Sequence, residues 1–239
     1  MPIPDFVHED LNRLEVSLDA VTLERLDDFL TLLLEANQRM NLTAIREVDA
    51  AWSRMIVDSL TALPGLDNLP DSAAVIDVGT GGGLPGIPLA IAKPELPFTL
   101  LEATGKKCAF LQGVIDALDL TQVRVHNARA EDAGHDAGHR QRYDVAICRA
   151  VGPMPVLLEL SLPLVKVGGR LLAMKGPRVE EELDASGDAL VTLGAGEVAV
   201  IDAYPETFEN DLVIVSVVKD SATPRAYPRA SGLPKKQPL

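Results

Sequence analysis

The chain has 239 residues, 47% of them hydrophobic, enough apolar material for one substantial buried core, which excludes a disordered chain. A formal net charge of −13 argues against a uniformly basic nucleic-acid-coating surface, and no apolar stretch approaches the ~18 residues that a membrane span needs. Cys108 and Cys148 stand far apart without Cys-x-x-Cys spacing, so neither a disulfide framework nor a zinc site is expected, and a reducing, cytoplasmic setting fits.

The first ten residues lack a basic segment followed by an apolar run, so no secretory signal is expected there. From Thr22 to Met40, Leu23, Leu26, Leu30, Leu33 and Leu34 recur at helical spacing with acidic residues on the opposite face, which predicts an amphipathic helix. A second helix is predicted over 47–63, with Glu47 and Asp49 in its first turn and Pro64-Gly65 beyond its end. Residues 1–70 therefore read as an N-terminal helical cap.

After Pro70 short apolar runs alternate with helical segments, the signature of βα units feeding a parallel sheet. Strands are predicted at Ala73–Val78, Phe98–Glu102, Val123–Asn127, Tyr143–Cys148 and Gly169–Lys175, with helices at Gly86–Lys93, Gly105–Leu118 and Met154–Val167. Two further strands, Glu197–Ala203 and Leu212–Lys219, are separated by too short a link for a crossover helix, so they should pair antiparallel. The expected architecture is a Rossmann-like α/β domain over 71–220, mostly parallel, with seven strands and an antiparallel C-terminal hairpin. A basic, Pro-rich tail over 221–239 reads as extended and mobile.

The strongest chemical signal is Val75-Ile-Asp-Val-Gly-Thr-Gly-Gly-Gly-Leu-Pro-Gly86, a strand entering a glycine-rich turn and then a helix. Gly79, Gly81 and Gly83 clear side chains from a backbone that must turn tightly against a ligand, and Asp77 is placed to order that turn or to accept from a ligand amino group. Gly81-x-Gly83-x-x-Gly86 also satisfies the dinucleotide fingerprint, so the turn alone leaves a nicotinamide cofactor open; the terminal hairpin favours a methyl donor, because a dehydrogenase sheet continues with a second βαβαβ half. Glu102 ends the second strand where a carboxylate takes both ribose hydroxyls of an adenosine. Cys148 belongs to an apolar strand run and reads as an inert buried thiol. His135 and His139 lie in a polar, glycine-containing stretch with no third ligand, and His8 and His126 stand isolated, so no metal is expected.

Taken in chain order, Asn41-Leu-Thr43, Arg54 with Asp58-Ser59, the run from Asp77 to Pro88, Leu100-Leu-Glu-Ala-Thr-Gly-Lys-Lys107, Arg129-Ala-Glu131, Cys148-Arg-Ala150, Met174-Lys-Gly176 and the stretch from Tyr227-Pro-Arg229 to Pro238-Leu239 resemble the RsmG (GidB) family. The resemblance spans nearly the whole chain. It implies a class I methyltransferase fold and methyl transfer from S-adenosylmethionine to N7 of one guanine in 16S rRNA, on the RNA or the small ribosomal subunit. Apart from the resemblance, the chain is expected to be monomeric and to bind neither a metal nor a membrane. The resemblance also implies a cofactor site of Gly79, Leu84, Glu102, Ala103, Thr104, Ala130, Glu131 and Arg149, with Lys106, Arg129 and Lys175 as candidates for contacting RNA or the acceptor base. Arg149 is the candidate catalytic group, and no general base is required, because the N7 lone pair accepts a methyl without first losing a proton. Met55 departs from the pattern, standing where the family commonly carries His, and residues 133–142 read as a variable insertion. A small-molecule acceptor on the same fold is the alternative that the acidic charge favours.

Overall fold

The computed structural model describes residues 3–204 and 212–239. At its centre lies a seven-stranded sheet in the order β3-β2-β1-β4-β5-β7-β6. The strands are β1 (Val75–Val78), β2 (Phe98–Glu102), β3 (Val123–Asn127), β4 (Tyr143–Arg149), β5 (Val165–Lys175), β6 (Ala195–Asp202) and β7 (Val213–Lys219). β1 to β5 pair in parallel, whereas β7 runs antiparallel to both β5 and β6, as the short link between the last two strands requires. Most of that link lies outside the described residues.

Strand side chains alternate between two apolar layers, because successive residues of a strand face opposite sides. Val75, Val145 and Ile147 join the layer beneath the helical cap, while Ile76, Ala146 and Cys148 join the layer beneath the later helices. On the first face lie α1 (Asp5–Arg13), α2 (Ala20–Met40), α5 (Gly86–Ala92) and α6 (Gly105–Ala117); on the second lie α8 (Met154–Ser161) and α10 (Gly187–Leu193). In α2 the Asp19 carboxylate accepts from the Thr22 amide at 2.7 Å, and Leu26, Phe29, Leu30 and Leu33 are fully buried. At about 1.5–3 kcal/mol for each such side chain, this stripe anchors the cap to α5 and α6, the helices that cover this face of the sheet.

Four points differ from the pattern read in the sequence or add to it. The helix predicted over 47–63 is a continuous run of three forms, α3 (Val48–Ala51), a π-helical segment (Trp52–Val57) and α4 (Asp58–Leu60). The helix predicted to reach Val167 ends at Ser161. A 3-10 turn carrying Pro163 follows, and β5 starts at Val165, since proline withholds the amide that a continuing helix would use. The stretch between β5 and β6, unassigned by its residue pattern, folds into α9 (Val179–Asp184) and α10.

The tail is the fourth. Instead of standing free it packs against the domain and ends in a short α11 (Leu233–Lys236), with Tyr227 and Leu239 on the second apolar layer. Two charged side chains hold it. Arg140 donates to the carbonyls of Thr223, Pro224 and Tyr227. Arg229 donates through its amide and guanidinium to Glu159 at 2.6–3.1 Å, and Glu159 is fully buried on α8. A buried carboxylate without a counter-charge is costly, so the tail is drawn in by an acid rather than released by its composition.

Candidate active site

The carboxyl ends of β1, β2 and β4 meet where the chain leaves the sheet, the place at which parallel α/β sheets hold ligands. β1 delivers Asp77, wholly buried, whose Oδ2 accepts from the Gly86 amide at 2.8 Å and so closes the turn between strand and α5. Gly86 must lack a side chain, because a Cβ there would come within 2.7 Å of Asp77 Oδ2 and 2.5 Å of Leu100. Burial pushes the Asp77 carboxyl up to about 6, although the Thr80 hydroxyl, the Gly86 amide and the Arg149 charge each pull it back. Asp77 Oδ1 and Thr80 Oγ1 influence each other in this way, yet neither has a hydrogen-bond partner of good geometry.

Gly79 and Gly81 adopt left-handed φ values of +75° and +60°, which favour glycine. Their surroundings differ. A Cβ on Gly79 would press on Val151 at 2.9 Å, whereas one on Gly81 would meet only the Gly79 carbonyl at 3.9 Å. The loop therefore presents bare backbone to open space at Gly81. Glu102, at the end of β2, bridges this loop to the next, with Oε2 accepting from the Gly81 amide at 3.1 Å and Oε1 from the Thr104 amide at 2.7 Å. Each carboxylate oxygen keeps a second lone pair, so the acid retains acceptor capacity for a diol. An open glycine cradle and a strand-end carboxylate fit an adenosine-bearing methyl donor.

Arg149 ends β4, and the next residue, Ala150, takes a left-handed φ of +57° that swings the chain away from the sheet. Arg149 Nη1 donates to Asp58 Oδ2 at 2.7 Å and to the Arg54 carbonyl at 3.3 Å, tying the strand end to the cap. Both Asp58 and Arg149 line a cavity of about 210 Å³ together with Met174 and Lys175. A larger cavity of about 500 Å³ lies elsewhere, lined by Leu14, Leu60, Leu172 and Ile214 and by none of the residues at the carboxyl ends of β1, β2 or β4. Cys148, buried next to Arg149 in β4, has its thiol pushed up to about 12 by burial and the Asp77 charge, so it does not serve as a thiolate at neutral pH.

The remaining sequence-derived candidates divide. Ala103 and Thr104 are exposed beside Glu102, and Leu84 and Ala130 are half-buried. Glu131 is also half-buried and accepts from the Gly232 amide at 2.7 Å, joining α7 (Ala130–Ala133) to the tail. Lys106 and Arg129 are exposed. Lys175 is not a free cation: it is 9% exposed, and its ammonium bonds Glu182 Oε2 at 2.5 Å and the Gly152 carbonyl at 3.0 Å. Met55 is buried in the cap core.

Sequence reasoning missed two groupings. Asp58 stands in the sequence only as part of a motif, and its pairing with Arg149 has no local signal. His126 is not isolated: its ring stacks on His139 with centroids 3.8 Å apart, and Asp136 brings a third possible ligand atom within 4.8 Å. The rings are nearly parallel, 27° apart. An ion lying in the plane of one ring, where an imidazole nitrogen binds metal, would fall outside the plane of the other.

Comparison with known proteins then fixes the family. A family model described as "GidB: rRNA small subunit methyltransferase G" matches residues 22–207. The chain belongs to that family. Curated relatives named ribosomal RNA small subunit methyltransferase G include one from Oenococcus oeni, 38% identical over 99% of this chain and 97% of its own length. Another, from Chloroflexus aggregans, is 44% identical over 88% of this chain and 87% of its own. Among solved structures the apo form of SibL, an S-adenosylmethionine-dependent methyltransferase, superposes with a TM-score of 0.55 at 20% identity, covering 72% of this chain and 57% of that one, which establishes the fold. The GidB-family chain is thus an S-adenosylmethionine-dependent methyltransferase with the class I Rossmann-like sheet that its strand pattern implies.

Proposed function

We propose that this chain methylates N7 of a single guanine in 16S rRNA, presented on the RNA or on the small ribosomal subunit, and releases S-adenosylhomocysteine without the help of a metal. When bound, S-adenosylmethionine supplies a methyl group already activated on a sulfonium. The residues that would hold it are Gly79 and Leu84 of the glycine turn, Glu102, Ala103 and Thr104 after β2, Ala130 and Glu131 after β3, and Arg149 at the end of β4.

The observation that carries the choice of acceptor atom is the state of the ionisable groups around the β4 edge. Asp58 is paired with Arg149, Lys175 with Glu182, Asp77 is sealed beneath the glycine turn, and the Cys148 thiol stays protonated. None of these is a free base, which suits an acceptor that loses no proton before accepting the methyl. The chain then acts chiefly by orientation: holding two reactants in near-attack geometry can supply roughly 7–11 kcal/mol of the barrier. Its membership of a family described by small-subunit rRNA supports the RNA acceptor.

The test is direct. Purified protein, labelled methyl donor and undermethylated small-subunit RNA should yield label at one guanine, located by chemical cleavage at 7-methylguanine. Label confined to protein or to a small metabolite would refute the reading.

A further inference from the structure

The contact between the cap and the sheet is more specific than packing requires. Arg149 and Asp58 lie 91 positions apart, on β4 and α4, with side chains 19% and 8% exposed. The π-helical segment before Asp58 has a wider turn than an α-helix, a form frequent at functional sites. Arg54, within it, offers its carbonyl to the same Nη1 that bonds Asp58. The Asp58 end is itself held: Thr61 Oγ1 donates to the Asp58 carbonyl at 2.7 Å, and the Tyr204 hydroxyl donates to Oδ1 at 3.4 Å.

Burial raises the Asp58 carboxyl, and the neighbouring Arg149 charge is the principal force that pulls it back toward ionisation. Among the described residues Nη1 is the only nitrogen of the Arg149 guanidinium with protein partners. A guanidinium is a rigid planar fork, so fixing one nitrogen fixes the direction of the others. The Nε and Nη2 edge, two parallel donors suited to bidentate contact with a polar ligand, is left for whatever enters the cavity the pair lines.

We infer that Asp58 is a positioning residue for methyl transfer, acting from the helical cap through Arg149: by holding Nη1 it aims the Nε/Nη2 edge of the guanidinium at the reacting molecules. This rests on the methyl-transfer reading above. The effect of Asp58 runs through the orientation of one side chain, its Oδ2 being engaged by Arg149 and its Oδ1 by Tyr204. The cap thereby becomes part of the active site, even though the donor cradle is built wholly from the sheet loops.

Steady-state methyl transfer to small-subunit RNA tests this in a double-mutant cycle of the full-length chain. Asp58→Asn keeps the volume and removes the charge. It should lower kcat at least tenfold while KM for RNA stays within twofold, the pattern of an interaction made only in the transition state. In an Arg149→Lys background, where no fork remains to be aimed, the same substitution should change kcat less than twofold. Should Asp58→Asn not fold, by thermal melting, Asp58→Glu takes its place, with a smaller fall in kcat that is likewise absent in the Arg149→Lys background. An equal fall in both backgrounds, or none in either, overturns the inference. Wild-type protein that transfers no methyl to RNA defeats the functional reading instead, so the two failures are distinguishable.

Discussion

The sharpest test of the donor cradle is one methyl group placed on Gly81. At φ +60° an alanine incurs the left-handed penalty, roughly 1–2 kcal/mol, offset by about 0.4–1 kcal/mol because alanine has less freedom to lose from the unfolded chain. No steric cost is added, since the new Cβ would meet only the Gly79 carbonyl at 3.9 Å. Gly81→Ala should therefore fold and lose at most about 1.6 kcal/mol of stability. If the donor's backbone contacts run over this loop, the same methyl occupies its space, and S-adenosylhomocysteine affinity should fall at least tenfold, about 1.4 kcal/mol. The control lies one residue away: a Cβ on Gly82 would meet Leu33 of the cap at 3.0 Å, so Gly82→Ala should lower stability and change affinity less than twofold. Urea melts and titration calorimetry measure both quantities. Wild-type affinity in a folded Gly81→Ala protein would show that the donor lies elsewhere.

Glu102→Gln replaces a charged acceptor of two backbone amides with a group that can face only one of them as an acceptor; S-adenosylhomocysteine affinity should fall at least tenfold by calorimetry, and an unchanged value would remove Glu102 from the site. Arg229→Ala leaves Glu159 buried without its counter-charge, and should cost about 3–5 kcal/mol in a denaturant melt and speed amide exchange in the tail, whereas a loss below 1 kcal/mol would mean that the tail is held by other contacts. For Asp77 the folded carboxyl titrates near 6, against 3.8 for the ordinary group, so between those values the folded protein holds a proton that the unfolded chain has released. Its contribution should make stability fall by about 3 kcal/mol as pH rises through that window and then level off. Asp77→Asn should lack that component; identical pH profiles for the two proteins would contradict the raised value.

Much of the sheet is legible because its rules are local. β2 and β3 lie at their predicted bounds, and the antiparallel ending follows from a link too short for a helix. The glycine turn is legible for a similar reason: its glycines and the Asp77–Gly86 bond that closes it fall within one short stretch, although Glu102 braces it from the next strand. What escapes a reading by period and composition is pairing at long range. The Asp58–Arg149 contact joins two patterns that are each unremarkable in their own windows. The tail reads as mobile because proline and lysine are counted, while the partner that docks it, Glu159, stands inside an apolar helix 70 positions earlier. His126 looks isolated for the same reason: its neighbours His139 and Asp136 come from a loop whose path the sequence pattern does not fix.

The acidic balance of the chain and an RNA acceptor are reconciled by where the free cations lie. Arg149 and Lys175 are spent on internal partners, so they add little long-range attraction. Lys106 is exposed on the helix that follows the Glu102 loop, and Arg129 immediately precedes α7. The bond from Glu131 to Gly232 sets α11 beside α7, with Lys235 and Lys236 exposed. Lys106 and Arg129 adjoin proposed cofactor-binding residues in the chain, Lys235 and Lys236 follow the segment bonded to Glu131, and a contact limited to these four engages about four phosphates. For single-stranded RNA the logarithm of affinity should then fall with the logarithm of salt at a slope of about −2.8, from roughly −0.7 per phosphate. Replacing Lys235 and Lys236 by Gln should flatten the slope by about 1.4 without altering S-adenosylhomocysteine binding. A slope near zero would point to a neutral acceptor, and an unaltered slope in the double variant would place the RNA on another face.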